Sequence, residues 1–226
     1  MIMGKTAVMT GAAGRIGSGA VKKMAEAGIN VAMITHNPGP AAKICQECEG
    51  FPGKVVAVTN EGGDHAAIQK TFDQFGSVDI VIMNHGGPDH PMDLLDVEPE
   101  ELDKKFAHQV TMTFRTLKTA IPFLEQSGGG DIILTSSKGA FDGDNSFPFV
   151  SSVVNGAVIS MTQYLANELA AKNIKVNCIA KGHMQADFLH DGETLDLTLP
   201  GPEEFGEAVM DVLNGETSGD TVLLGK

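Results

Sequence analysis

Short apolar runs alternate with helical patterns along this whole sequence, and that alternation restricts the fold more than any other feature. The runs are rich in Val, Ile, Leu and Met without strict alternation, which is typical of strands covered on both faces. The strand candidates are 6–10, 30–35, 54–58, 79–84, 131–136, 175–180 and 220–225. The helical segments between them are 15–27, 40–49, 64–75, 98–125, 151–171 and 202–214. This order predicts an α/β fold with a doubly wound parallel sheet.

Composition narrows the class of protein further. No linker or repeat divides the 226 residues, so we expect one domain over 1–226. The net charge of -13 argues against nucleic-acid binding, which needs a basic stripe, and we expect no membrane partner because no apolar run approaches a membrane span. Three cysteines fit a reducing cytoplasm. Cys45 and Cys48 form a C-x-x-C without a second ligand pair, so we expect a surface helix and no metal site.

The stretch "TGAAGRIG", residues 10–17, ends the first strand candidate and opens the first helix. Its small residues let the backbone approach a pyrophosphate, and a helix N-terminus offers unpaired N–H groups and a positive dipole. The alternative is that these glycines only permit a tight turn and close helix packing. At the first strand-to-helix turn of a doubly wound sheet, the pattern favours nucleotide binding.

Four motifs together resemble the short-chain dehydrogenase/reductase family. They are "TGAAGRIG", "NHGG" at 84–87, "IILTSSKG" at 132–139 and "VNCIAKG" at 176–182, in the family's order and spacing. The resemblance implies a single-domain Rossmann fold with a seven-stranded sheet that binds NAD(H) or NADP(H). The positions that should line the cofactor by similarity are Gly11, Ala13, Gly14, Arg15, Ile16, Gly17, Thr35, His36, Asn37, Val58, Asn84, His85, Gly86, Lys181, Gly182, His183 and Met184.

The end of the second strand indicates which dinucleotide is used. An acidic residue there usually binds the ribose 2′-hydroxyl of NAD. Here the sequence reads Thr35, His36, Asn37 with no carboxylate. With the basic Arg15 in the turn, this favours NADP(H) over NAD(H). Ala57 stands where the family carries an adenine-contacting Asp, which weakens the expected adenine contact.

The catalytic positions depart from the family. Its members reduce carbonyls with a Tyr-x-x-x-Lys pair, helped by a serine and a helix asparagine, because the oxyanion formed by hydride transfer needs a proton. Ser137 matches the serine, Ser151 falls on the Tyr position, Asn155 on the Lys position and Gln109 on the Asn position. The acid–base pair is therefore absent.

Other side chains are candidates for the missing proton donor. By the same alignment His85 and His183 should lie at the nicotinamide pocket, and a histidine near its usual pKa of about 6.5 can donate a proton. Lys138 and Lys181 should add ammonium groups near the rim. The simpler interpretation is a chance placement of the histidines and a solvated lysine.

Three hypotheses for function stay open. The first is an NADP(H)-dependent oxidoreductase for a small carbonyl or alcohol substrate with a non-standard active site. The second is a dinucleotide-binding protein without activity, acting as a sensor or inactive partner subunit, and the third is a lyase or isomerase on the same scaffold.

The sequence also suggests an assembly and a lid. We expect a homodimer or homotetramer formed through helices 98–125 and 151–171, with Tyr164 in a core or interface. Asp142 and Asp144 are expected in a loop, and the substrate lid between Gly182 and Pro202 is short.

Overall fold

The computed structural model describes residues 2–60, 63–86, 93–185 and 196–225. Its centre is one seven-stranded sheet in which every pairing is parallel, with strand order β3-β2-β1-β4-β5-β6-β7. The strands are β1 (Thr6–Thr10), β2 (Asn30–Thr35), β3 (Val55–Thr59), β4 (Ile80–Met83), β5 (Gly130–Ser137), β6 (Ile174–Lys181) and β7 (Thr221–Leu224). Each lies within two residues of the predicted strand, so the predicted Rossmann fold is confirmed.

Helices cover both faces of the sheet. They are α1 (Gly17–Glu26), α2 (Pro38–Glu47), α3 (Gly63–Phe75), α4 (Pro99–Phe106), α5 (Met112–Gln126), α6 (Lys138–Asp142), α7 (Phe149–Leu169) and α8 (Pro202–Asn214). Successive residues of β4 enter different cores: Val81 and Met83 pack with α3, α5 and α7, whereas Ile80 and Ile82 pack with α1, α2 and α8. Burial on both faces explains why the strand runs are continuously apolar.

The predicted helix 98–125 is interrupted. A π-helical turn, Ala107–Thr111, separates α4 from α5. Inside it the Gln109 carbonyl accepts a hydrogen bond from Thr113 Oγ1 at 2.6 Å. A π turn adds a residue to the helical register and often occurs at a functional site. Here it directs Gln109 inward, where its side chain is 5% exposed.

The short helix α6 was not predicted. It follows directly on β5 and ends at Gly143, which has a left-handed φ of 75°. The Lys138 ammonium lies 2.8 Å from the Asp142 carboxylate and 2.9 Å from the Asp144 carboxylate. Asp142 is the last residue of α6, so its predicted place in a loop is wrong. Glycine and aspartate are typical of turns, which is why the sequence indicated a loop here.

The long helix α7 packs one face on the sheet and exposes the other. Val154, Val158 and Leu169 are buried, whereas Tyr164 is 69% exposed, so a core position for this tyrosine within the chain is wrong. With its 3-10 extension, Phe149–Lys172 is long and apolar enough to cross a membrane by length and composition alone. A helix that covers a sheet passes the same test, and α7 contacts β5 and β6.

Candidate active site

The turn after β1 has a backbone that only glycine permits. Gly11 has φ +62°, and a Cβ on it would lie 1.8 Å from the Asn84 carbonyl oxygen. A Cβ on Gly17 would lie 2.2 Å from the Gly11 carbonyl oxygen. The turn therefore lies directly against the end of β4, and close packing alone already requires glycine at these two positions.

The N-terminus of α1 carries no side-chain cap. The helix begins at Gly17 and has no acidic residue in its first turn. The Ser18 and Gly19 N–H groups already donate to backbone carbonyls, so the helix dipole is what this first turn offers to a phosphate. Gly14 and Arg15 are exposed beside it, with Ala13 partly buried. These residues fit the pyrophosphate of a dinucleotide.

A groove of about 360 Å³ runs between this turn and α2. Arg15 and Lys43 both line it, together with the carboxylate of Glu47. That carboxylate is 2.7 Å from the Lys22 ammonium, a contact that lowers the Glu47 pKa. The groove thus combines two basic side chains with one carboxylate, which contacts Lys22 and also lies 3.8 Å from the Lys43 ammonium. Lys43 was missed because a lone lysine on a helix ordinarily indicates only a solvated face.

Of the three residues at the end of β2, two make hydrogen bonds within the following loop and one is exposed. Thr35 Oγ1 accepts from the Asn37 backbone N–H at 3.0 Å, and the Asn37 side chain caps α2 by accepting from Gly39 at 3.1 Å. His36 is exposed. On the neighbouring strand Val58 is buried and Ala57 is exposed. Thr35 and Asn37 therefore shape the loop, while His36 faces solvent.

The ends of β4 and β6 are joined through Lys181. Its ammonium donates to Asn84 Oδ1 at 3.1 Å and lies 5.7 Å from the centre of the Phe205 ring. Asn84 Nδ2 in turn donates to the Gly11 carbonyl at 3.4 Å. The predicted residues of three motifs are thus adjacent at the carboxyl edge of the sheet, where ligands of such sheets bind.

The segment after β6 is anchored on both sides. Gly182 N–H donates to the Leu224 carbonyl at 2.7 Å, and Met184 is 2% exposed. The His183 ring stacks on Phe147 with centroids 4.2 Å apart, and its Nε2 lies 3.2 Å from Ser146 Oγ. His183 is therefore held against the loop before α7. Most of the predicted lid, 186–195, and Gly87 lie outside the described residues; Gly86 is exposed.

His85 is held at both ring nitrogens. Nδ1 lies 3.1 Å from Thr10 Oγ1, and Nε2 lies 3.2 Å from the Gln109 carbonyl oxygen and 3.0 Å from Thr113 Oγ1. A carbonyl only accepts, so Nε2 carries the proton and Nδ1 accepts from Thr10. Burial lowers the pKa of His85, which keeps the ring neutral at pH 7. Its partners Thr10 and Thr113 carry no sequence signal of their own.

Lys138 is held by two carboxylates. Its contacts to Asp142 and Asp144 raise the pKa of the ammonium, so it keeps its proton more firmly than an ordinary lysine. Such a group is a weaker acid than the missing tyrosine–lysine pair would be.

Ser137 lies at the carboxyl end of β5, opposite Lys181 in the register with β6. It precedes α6 in the N-cap position without making a side-chain cap. Within the described residues its hydroxyl makes no hydrogen bond, and the side chain is partly exposed. The hydroxyl is thus available to a ligand.

Gln109, Asn155 and Ser151 form one hydrogen-bonded chain. Gln109 Nε2 donates to Asn155 Oδ1 at 2.6 Å, and Asn155 Nδ2 donates to the Ser151 carbonyl at 2.9 Å and to Ser151 Oγ at 3.2 Å. The structure thus joins the three residues that were predicted to stand at the family's Asn, Lys and Tyr positions. Every group in the chain is uncharged.

The arrangement can bind a dinucleotide and present hydroxyl donors to a ligand oxygen. Ser137 and Ser151 can each donate a hydrogen bond, but neither is acidic enough to release a proton near neutral pH. The described residues contain no cluster of His, Cys, Asp and Glu that could hold a metal ion.

Comparison with known proteins gives a consistent result. The model of the short chain dehydrogenase family matches residues 5–194. The uncharacterized oxidoreductase YhdF of Bacillus subtilis is 32% identical over 187 residues, which are 80% of this chain and 63% of that protein. The 3alpha-hydroxysteroid dehydrogenase of Mediterraneibacter gnavus is 30% identical over 198 residues, which are 84% of this chain and 77% of that protein.

A solved structure supports the fold. The 3-ketoacyl-(acyl-carrier-protein) reductase of Brucella melitensis, complexed with NADH, superposes with a TM-score of 0.83 over 100% of this chain and 98% of its own. Its sequence identity is 24%, so the likeness concerns the fold alone.

Proposed function

The chain belongs to the short-chain dehydrogenase/reductase family, and from that premise we propose that it is a cytoplasmic, NADP(H)-dependent oxidoreductase with a non-standard active site. The substrate proposed is a small carbonyl compound or the corresponding alcohol. The observation that carries this proposal is the nucleotide turn: Gly11 and Gly17 allow the close backbone contacts, and no side chain caps the N-terminus of α1.

The preference for NADP(H) is supported by charge. Arg15 and Lys43 line the groove beside the turn, and the one carboxylate among the described residues that line it, that of Glu47, already contacts Lys22. Lys43 itself lies 3.8 Å from Glu47, so Arg15 is the main cation proposed for the 2′-phosphate of NADP(H), and no carboxylate follows β2 to repel that phosphate.

The side chains at the catalytic end bind and orient rather than donate a proton. The bound cofactor supplies or accepts the hydride. Ser137 and Ser151 donate hydrogen bonds to the substrate oxygen, Asn155 and Gln109 hold Ser151, and the proton comes from water. General acid catalysis typically contributes about 10²–10⁴-fold, so we expect slow turnover with simple ketones.

A dinucleotide-binding protein without turnover is the second candidate. Two candidate proton donors already have partners, and this favours the second candidate. His85 is hydrogen-bonded at both ring nitrogens, and Lys138 is paired with Asp142 and Asp144. Both candidates require cofactor binding; they differ in whether any acceptor is reduced.

We further propose a homodimer or homotetramer that uses α4, α5 and α7. Apolar side chains on these helices are exposed in the single chain: Phe106 by 44%, Phe114 by 56%, Val153 by 47% and Tyr164 by 69%. Exposed aromatic groups on neighbouring helices are typical of an interface. Sedimentation should show more than one copy per particle at micromolar concentration; a monomer would contradict this part.

The proposed function is tested by calorimetric titration with NADPH and NADH, followed by NADPH oxidation with a panel of ketones and quinones. We expect tighter binding of NADPH than of NADH, and slow oxidation of NADPH. The absence of heat with both cofactors would overturn the proposal. Binding without reduction of any acceptor would favour the second candidate.

A further inference from the structure

The three side chains at the start of α7 form a chain with a fixed direction. Gln109 comes from the π turn, whereas Asn155 and Ser151 lie one turn apart on α7. Gln109 is 5% exposed and Asn155 is 4% exposed, so water competes little for these hydrogen bonds. The direction of each bond can be derived from the groups at the ends.

The Ser151 backbone carbonyl determines the orientation of the Asn155 amide. A carbonyl only accepts, so the atom 2.9 Å from it must be the donor Nδ2 rather than Oδ1. Oδ1 then faces Gln109 and accepts, which requires Gln109 to present Nε2 at 2.6 Å. Rotating either amide by half a turn would bring two acceptors together.

The same orientation determines the role of the Ser151 hydroxyl. Asn155 Nδ2 donates to Ser151 Oγ at 3.2 Å, so a lone pair of the hydroxyl oxygen is occupied and its proton remains for another partner. The remaining atom of the chain, Gln109 Oε1, is buried and has no hydrogen-bond partner within the described part of the structure. An unpaired buried acceptor is unfavourable, so the chain retains this orientation against a local penalty.

We propose that Gln109 and Asn155 are positioning residues that make Ser151 a dedicated hydrogen-bond donor, so that the site selects ligands presenting a carbonyl oxygen or an oxyanion at this point. This inference rests on the proposed function, since it concerns the substrate end of the same site. It assigns to two neutral amides the role of orienting the hydroxyl, in place of a charged group.

Asn155→Asp is the decisive variant because it keeps the size of the side chain and makes the direction of its hydrogen bonds depend on pH. When the introduced carboxyl group is protonated, it has one O–H donor and one acceptor oxygen, so it can accept from Gln109 and donate to Ser151 as the asparagine does. When the carboxyl group is ionised it only accepts, so the Ser151 hydroxyl turns to donate to it and is lost to the ligand.

Several titratable groups surround this chain. His85 contacts the Gln109 carbonyl from the end of β4, and His108 lies beside it with ring centroids 6.0 Å apart. Lys138 on α6 is paired with its two aspartates, and burial raises the pKa of Cys178 on β6 to about 12. Their contributions are common to the variant and the unmodified protein, so a comparison of the two pH profiles removes them.

The probe is 4-dimethylaminocinnamaldehyde, a chromophore whose absorption band moves to longer wavelength when its carbonyl oxygen accepts a hydrogen bond. It is added to the NADP⁺-loaded protein and to Asn155→Asp between pH 5.5 and 9. We expect a shifted band with the unmodified protein that changes little with pH. In Asn155→Asp the band should shift at low pH and return towards its position in water as the pH rises, with an affinity loss of about tenfold for a lost hydrogen bond.

Two controls separate orientation from folding. Asn177→Asp changes another buried asparagine, which bridges Thr217 and Asp220 away from this site, and it should keep the pH-independent band. Ser151→Ala should reduce the shift to the same smaller value at every pH, because Ser137 remains as the other donor to the ligand oxygen.

A band that is unshifted in the unmodified protein, or equally shifted in Asn155→Asp at all pH values, would overturn the inference. If NADP⁺ still binds in calorimetry, the proposed function survives that result; if NADP⁺ does not bind, the proposed function fails first.

Discussion

The two ends of the site, the nucleotide turn after β1 and the start of α7, lie at the same edge of the sheet but depend on different parts of the chain. At the turn, backbone geometry determines the site, because Gly11 and Gly17 leave no room for a Cβ. At α7, the proposed chemistry depends on the side chains of Ser151 and Asn155, which the sequence motifs predict at the positions of the family's tyrosine and lysine. We therefore expect the backbone site to bind a cofactor, and we expect the acid–base pair to be missing.

This difference shows how one scaffold can separate binding from chemistry. A turn that fits a pyrophosphate is coupled to the packing of β1 against β4, so changing it disturbs the fold. Ser151 and Asn155 are side chains on one helix that hydrogen-bond to each other, so we expect that a substitution there leaves the strands in place. We therefore expect substitutions at the start of α7 to alter catalysis more than cofactor binding.

The largest effect is expected from restoring the pair. Ser151→Tyr with Asn155→Lys adds a proton donor and the cation that lowers its pKa, and we expect NADPH oxidation with ketones to rise by about 10²–10⁴-fold. Gln109 can support the introduced lysine by turning its unpaired Oε1 towards the ammonium. The measurement is the steady-state rate of the parent, both single variants and the double variant.

Each single variant should gain little, because the two groups act as a unit. Fast reduction by the parent protein that disappears on changing His85 or His183 would contradict this and indicate a relocated donor.

Gly11→Ala should produce the next largest effect. Relieving a 1.8 Å contact at φ +62° requires a backbone shift, and strain of about 3 kcal/mol would weaken NADPH binding by about 100-fold. Calorimetric titration of the folded variant measures the loss.

The matched change on α7 is Gly156→Ala, since a Cβ there would contact nothing within 4 Å. Alanine favours a helix over glycine by about 0.5–1 kcal/mol, so this variant should be more stable and bind NADPH normally. If both variants bound NADPH equally well, the contrast between the two ends would be wrong.

Arg15→Ala tests whether this arginine contacts the 2′-phosphate that distinguishes NADPH from NADH. A charge-assisted contact to the 2′-phosphate is worth about 1.5–3 kcal/mol, so NADPH affinity should fall by about 10- to 100-fold while NADH affinity changes much less. Lys43→Ala, on the other wall of the groove, should act in the same direction but more weakly because this side chain is 79% exposed. Equal losses for both cofactors would place Arg15 at the pyrophosphate instead.

The smallest effect concerns His85, which links the two ends. Burial lowers its folded-state pKa below the usual value of about 6.5, so the unfolded chain binds more protons and stability is lost as the pH falls through that range. The Tm of the parent protein should be lower at pH 5.5 than at pH 7.5. This decrease should be smaller in His85→Gln, and a difference of about 1 kcal/mol in the pH effect corresponds to about 2–4 °C. The exposed His36→Gln should behave like the parent, and an identical decrease in all three proteins would contradict the role of burial.

The sequence predicted the fold and the nucleotide turn well because both depend on local patterns. Continuous apolar runs placed every strand within two residues, and glycine spacing placed the turn. The sequence did not predict α6 or the π turn. The Lys138 ion pairs and the Thr113 hydrogen bond that accompany these elements form only in the folded chain, so no local pattern indicates them.

The catalytic end was predictable only by position. The sequence motifs placed Gln109, Ser151 and Asn155 at one site, but the hydrogen bonds between these side chains are visible only in the structure. The same holds for His85: its place beside the site follows from the motif, whereas its contacts with Thr10 and Thr113 come from other segments of the chain.

The central claim, preserved cofactor binding without an efficient proton donor, is tested most directly by stopped-flow fluorescence of NADPH mixed first with the protein and then with cyclohexanone. We expect a binding phase in which NADPH fluorescence changes on the first mixing. The decay on the second mixing should be no faster than about one hundredth of the rate in Ser151→Tyr with Asn155→Lys. A missing binding phase, or a decay in the parent as fast as in the double variant, would contradict it.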